Sequence, residues 1–381
     1  LRSAEDLSFG KGQRFQSEYR SFTDDQTGAR IHQLTQHASI NHNLYFLNRS
    51  FSPDSRHVIF CSYRDRNPNL FELEFPDGPI RQLTEGSGLH AFSACLSHSG
   101  DSLFFTRAGS IWKLDRQSLA EHCLASFADA QLGECNLSGN GEWLVTAIKQ
   151  AGEPGIAVAR TDGSHSQVVL RWPRTIIHPQ FHLFDDRIIE FSNDPAPRMH
   201  LFHRDTSQIE CLYEHGNDEF VVHETFLGST GDVVFTVWPF ALKRFNLETR
   251  QICEIARFNA WHISPDAVGQ RVLCDTNHPD IGIQIVDVAS GKRHTVCYPK
   301  SSSQGSQWTT SRYAVAEDWA RAAEQQSQER KHSLSWMEMK TDTVYGPQWT
   351  HPHPSWSPDE QRIIYTSDVS GFPQIYVADL P

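Results

Sequence analysis

The sequence predicts an all-β protein, a seven-bladed β-propeller, from three observations. One pattern recurs seven times along the 381 residues, most recurrences stand one blade apart, and a spare strand near the N-terminus supplies what the last recurrence lacks. Each copy is a small or aromatic residue, a polar turn rich in Ser, Pro, Asp and Gly, and then a β-branched strand. The copies begin at Phe51 (Phe-Ser-Pro-Asp-Ser-Arg-His-Val-Ile-Phe), Leu96, Leu137, Phe181, Phe226, Ile263 and Trp356 (Trp-Ser-Pro-Asp-Glu-Gln-Arg-Ile-Ile-Tyr). Five of the six intervals are about 37 to 45 residues, the size of a four-stranded blade, and seven such blades close a ring.

The later strands of a blade are readable in Asn69 to Leu73 leading to Gln82 to Thr84, and in Ile283 to Val286 leading to Ser290 to His294. The last copy ends at Asp379 with no fourth strand. Asp25 to Thr35 has the turn-then-strand form of the other blade endings, so it is expected to pair into the final blade and remove an open sheet edge. The sixth and seventh copies stand about 90 residues apart, which places an insertion at approximately 301–346 within a single domain spanning 1–381. Ala314 to Lys331 is a run of helix formers, so the insertion is expected to carry a helix. By contrast, Ala147 to Gly155 reads as a tight hairpin.

Composition narrows the partners. A net charge of −12 argues against a broad nucleic-acid surface, and no apolar run approaches the ~20 residues of a membrane-spanning helix. The eight cysteines lack CxxC pairs and suit reduced core thiols, favouring the cytoplasm over the periplasm. No signal of oligomeric state is readable.

Histidine placement is the chemical signal. In Gln348-Trp-Thr-His-Pro-His-Pro354, Pro352 is expected to hold His351 and His353 in a strand-like run on one face, with Gln348 nearby. His178, His223 and His353 each stand four residues before the same turn position in blades 4, 5 and 7, and His262 stands two before it in blade 6. Inner strands of a propeller line the axis, so these side chains are expected to converge there. Individually each reads equally well as a core histidine. Together they form a neutral donor set that would leave a divalent cation its full charge, suited to gripping a carboxylate. Such a charge acidifies the neighbouring C–H, and a neutral histidine can remove that proton, which points to β-elimination.

Along nearly its whole length the chain resembles the oligogalacturonate lyases, most specifically in Gln348-x-x-His-x-His and the Trp356-Ser-Pro-Asp turn that follows. The resemblance implies a seven-bladed lyase acting on short, acidic, pectin-derived oligosaccharides. It implies Mn2+, or another divalent metal, on His262, Gln348, His351 and His353, a general base at His223 and a substrate-gripping arginine at Arg198. His178 is given a substrate-contact role. The hairpin at Ala147 to Gly155 and the short Ser192 to Pro197 segment depart from the family, leaving open a different uronate oligosaccharide as substrate. Trp172, Trp261 and Trp349 read as core or rim residues.

The absence of a G-x-S-x-G elbow argues against a propeller serine hydrolase, and Gly100-Asp-Ser-Leu reads as a blade turn. A TolB-like scaffold propeller explains the repeat but not the aligned histidines.

Overall fold

The computed structural model describes residues 9–194, 196–216, 218–277, 279–303 and 348–381. Seven antiparallel sheets follow one another, each running from an inner first strand to an outer last strand. Blades 2 to 6 are simple four-stranded meanders. Blade 4, for example, runs Thr175–His182, Asp185–Asp194, Met199–His203 and Gln208–Cys211. The seventh blade closes as expected: Arg30–Gln33 pairs antiparallel with Gln374–Asp379, and Arg20–Thr23 adds a fifth strand outside it. Arg14–Phe15 likewise caps the outer edge of blade 1, pairing with Ile80–Gln82.

The recurring turn has a common physical basis. Ser52 Oγ donates to Asp54 Oδ1 at 2.5 Å and accepts the His57 N–H at 2.9 Å, while Asp54 Oδ1 also accepts the Arg56 N–H at 3.1 Å. The same hydroxyl and acid pairing recurs at Ser357 and Asp359, and with Asn in place of Asp at Ser138 and Asn140. Serine and Asx side chains satisfy the turn's backbone donors locally, so the inner strand can reverse without burying unpaired N–H groups.

Seven hydrophobic clusters then fill the seams between blades, each drawing on two neighbours. Leu273, Ile283 and Val296 of blade 6 meet Trp356, Ile363 and Tyr365 of blade 7, and Ile364, Ile375 and Val377 of blade 7 meet Val58, Phe60 and Phe71 of blade 1. The ring therefore closes through apolar packing as well as through hydrogen bonds. The Ala147 to Gly155 hairpin is tight, with Ala151 and Gly152 both at positive φ (52° and 84°), the backbone of a two-residue primed turn.

Two expectations need amendment. The fourth strands predicted at Gln82 to Thr84 and Ser290 to His294 lie at Ile80–Gln82 and Arg293–Cys297. At the second, Asp287 accepts the Ser290 N–H and hydroxyl at 2.7 and 2.6 Å, which holds Ser290 in the turn. The helix expected at Ala314 to Lys331 lies outside the described residues. Among the described residues the only helical elements are short 3-10 turns at Gly228–Thr230 and Gln348–Thr350, and no helix is long and apolar enough to cross a membrane. The eight cysteines are unbridged and five are buried.

Candidate active site

The histidines predicted to meet do so because the inner strands are bulged where they stand. Pairing with the second strand skips from Ile177 to Gln180 around His178, from Val222 to Thr225 around His223, and from Ala260 to Ile263 around His262. A bulge sets two residues against one and re-aims the side chain. His178, His223 and His353 also adopt left-handed backbone, with φ of 56°, 57° and 44°. Bulging frees backbone donors, and buried carboxylates take them up. The His178 N–H donates to Glu134 Oε1 at 3.0 Å, and those of His262 and His353 donate to Asp275 Oδ1 and Oδ2 at 2.7 and 3.3 Å.

The Gln348 to Pro354 run departs from the extended strand the prolines suggested. Gln348–Thr350 is a 3-10 turn, closed by the His351 N–H donating to the Gln348 carbonyl at 3.0 Å. Proline restricts only itself and its predecessor, so the residues upstream of His351 remain free to curl. That curl, with the left-handed His353, brings Gln348 Oε1 to 3.2 Å from His353 Nε2.

Ring centroids of His262 and His353 lie 3.9 Å apart, those of His262 and His351 5.4 Å, and those of His351 and His353 6.0 Å. His223 stands 4.3 Å from His262, and His178 stands 6.1 Å from His223. The structure thus assembles residues of blades 4 to 7 that are up to 175 positions apart in sequence. Burial, then the neighbouring imidazoles, hold His223, His262 and His353 well below the usual histidine range, so these rings are neutral. Neutral imidazole is the form that ligates metal or accepts a proton. Burial pushes the Asp275 carboxyl up to about 7, and the His262 and His353 N–H groups oppose it.

A second, charged group adjoins the imidazoles. Arg198, 3% exposed, follows a cis Ala196–Pro197 bond and sits with Nε 3.7 Å from Glu224 Oε1. Glu224 Oε2 accepts the Ser192 hydroxyl and lies 3.9 Å from His178 Nδ1. His178 Nε2 is 2.7 Å from the Tyr45 hydroxyl, so both of its nitrogens face protein groups. Phe46 and Trp261 pack against His223 at 5.4 and 4.5 Å, and Trp261 is a core residue as expected. Trp172 and Trp349 are only partly buried.

Sequence reading missed Tyr45, Glu134, Glu224 and Asp275. The available signal was an acid inside an apolar strand, as in Val272-Leu-Cys-Asp-Thr276, where an unpaired charge would be costly. Among the described residues, no three His, Cys, Asp or Glu side chains are gathered closely enough to hold an ion as they stand. The donor set nevertheless suits one. Two donors about 2.2 Å from a shared ion and at right angles are roughly 3 Å apart, close to the 3.2 Å between Gln348 Oε1 and His353 Nε2.

Fold and site define a class: a seven-bladed propeller with a buried imidazole and amide cluster at its axis, beside a buried arginine. A model of the oligogalacturonate lyase family matches residues 9–162 and 319–381. The chain belongs to the oligogalacturonate lyase family, a group of carbon–oxygen lyases. It is 24% identical to an oligogalacturonate lyase of Dickeya dadantii over 412 residues, covering 97% of this chain and 98% of that protein. An oligogalacturonide lyase of Pectobacterium atrosepticum is 22% identical with the same coverage. Among solved structures, an oligogalacturonate lyase in complex with manganese superimposes with a TM-score of 0.81 at 21% identity, covering 98% of this chain and 99% of that one. The Vibrio parahaemolyticus oligogalacturonate lyase gives 0.78 at 20% identity, with the same coverage.

Proposed function

We propose that this protein is a metal-dependent lyase that cleaves short oligogalacturonates by β-elimination to 4,5-unsaturated products. The observation that carries the reading is the buried His223 ring, 4.3 Å from His262, at the edge of the imidazole and amide cluster. Family membership supplies the reaction class. Gln348, His351, His353 and His262 would hold the cation, Mn2+ as in the structural relative or another divalent ion. Bound there, its uncompensated charge would acidify the C–H beside a uronate carboxylate.

The chain's own residues account for the remaining chemistry. Arg198 offers a planar, permanently charged fork to the uronate carboxylate. His223 takes the C5 proton, the freed electron pair forms the C4–C5 double bond, and the C4–O bond to the leaving sugar breaks, its oxygen taking up a proton from solvent to leave as the free hydroxyl. Packing of Phe46 and Trp261 around His223 limits water and keeps the ring unprotonated, which suits a base better than an acid. His178, tied to Tyr45 and Glu224, borders the base and supports substrate contact.

Incubation with digalacturonate and trigalacturonate in Mn2+ should produce the ultraviolet absorbance of an unsaturated uronate. His223→Ala should lower kcat on the order of 10²- to 10⁴-fold. No absorbance with any uronate oligosaccharide would reject the lyase reading, and full activity in His223→Ala would reject that base. Independently of turnover, Mn2+ at 100 times its dissociation constant should raise apparent stability by about 2.7 kcal/mol, seen as a higher Tm that EDTA reverses.

A further inference from the structure

We infer that Asp275 is the positioning residue of the cation site, holding two ligands from adjacent blades and fixing the tautomer of one of them. The inference rests on the proposed metal reading and extends it to a residue outside the donor set. Asp275 lies on the second strand of blade 6, Arg271–Thr276, opposite the bulge that carries His262. The ladder pairs Ala260 with Thr276 and Ile263 with Cys274, so Asp275 faces the skipped stretch. Its side chain is 1% exposed and fills the hole the bulge leaves in the ladder.

Two backbone N–H groups and one imidazole nitrogen converge on its two oxygens. Oδ1 accepts the His262 backbone N–H at 2.7 Å. Oδ2 lies 2.8 Å from His262 Nδ1 and accepts the His353 backbone N–H at 3.3 Å. Two consequences follow. First, a proton committed to His262 Nδ1 leaves the lone pair on Nε2, the nitrogen that remains to meet an ion. Carboxylates behind ligating histidines commonly set the tautomer in this way. Second, the link from blade 6 to the His353 backbone holds the left-handed turn that lies 3.9 Å, ring to ring, from His262. One carboxylate thereby sets both the spacing of two ligands and the polarity of one ring.

Asparagine cannot reproduce the arrangement. An amide presents one acceptor and one donor group, while both positions here face N–H groups. If the amide nitrogen meets His262 Nδ1, the ring must accept there and carry its proton on Nε2. If the amide flips, its N–H group opposes the His262 backbone N–H. Either way the site loses a ligand nitrogen or its geometry.

The test is Mn2+ titration of Asp275→Asn and wild type by calorimetry, together with the imidazole 15N spectrum of the metal-free protein. His262→Gln identifies the His262 resonances. Wild type is expected to show His262 protonated on Nδ1, and Asp275→Asn is expected to lose that signature and bind Mn2+ on the order of 10- to 100-fold more weakly. A purely structural role would lower the melting temperature without changing the tautomer. Affinity within twofold of wild type overturns the positioning role and leaves the metal reading intact. Wild type that binds no Mn2+ overturns the metal reading and the inference with it. Should Asp275→Asn fail to fold, the wild-type spectrum decides: His262 protonated on Nε2 overturns the assignment, and protonation on Nδ1 supports it.

Discussion

Glu224 and Glu190 are two fully buried carboxyls beside one arginine, and they divide the charge unequally. Burial opposes the charge on Glu224, but His178, Arg198 and the Ser192 hydroxyl outweigh it and hold this carboxyl down to about 2. Burial and the neighbouring Glu224 charge push Glu190 well up, so Glu190 keeps its proton. The pair therefore holds a single negative charge, facing Arg198. Glu224→Gln should destabilise the fold by about 3–5 kcal/mol in urea unfolding, since it removes the partner of a buried cation. For a lowered carboxyl, the stabilisation is complete above the ordinary 4.5 and disappears as pH falls through about 2. The plot of Tm against pH should accordingly be flatter for Glu224→Gln across that window. Glu190→Gln has the opposite sign. Unfolded Glu190 ionises above 4.5 while the folded form stays protonated, so this variant should gain on wild type as pH rises from 4.5 to 7. None of this was readable from the sequence, because Glu190 and Glu224 become neighbours only when blades 4 and 5 pack.

Inner strands are where local backbone becomes chemistry. Strict alternation along Phe220–Phe226 would send His223 and Glu224 to opposite faces. The bulge at this point lets His223 join the imidazoles while Glu224 meets Arg198 and His178. Holding a non-glycine residue at a φ of 57° costs free energy that the surrounding packing must offset. Asparagine tolerates this conformation and a β-branched residue does not. His223→Val should therefore be less stable than His223→Asn by about 1–2 kcal/mol in thermal or urea unfolding, although both lack the base. Equal stability would show that the bulge relaxes when the imidazole is lost. The shared register of His178, His223 and His353 before their turns was legible, because the repeat sets an aromatic residue (Phe181, Phe226, Trp356) and then a turn at the same offset after each. The bulges themselves were not, since no glycine or proline adjoins His223 or His262, and Pro179 after His178 does not by itself mark a bulge. The curl of Gln348–Thr350 escaped for a related reason: proline's effect reaches back one residue, and Gln348 lies four before Pro352.

Closure of the ring is the property of the molecule on which the site depends, since its histidines, Gln348 and Arg198 come from blades 4 to 7 and Tyr45 from blade 1. Ile31 is 1% exposed, pairs opposite Ala378 and packs in the seam between blades 6 and 7. Ile31→Pro removes a ladder donor and a core side chain together, and should cost more than about 3 kcal/mol and lower Mn2+ affinity through a loosened blade 7. A variant with wild-type Tm would show that the other seams suffice to hold the ring. By itself the sequence determined the blade number, the closing strand and the histidine register, because each is written in a motif that repeats and satisfies its hydrogen bonds locally. Only the tertiary structure decided which carboxylate stands behind which histidine. Asp275, Glu224 and Glu134 carry no repeating signature, and their partners are defined by bulged donors and neighbouring blades that meet only in the closed ring.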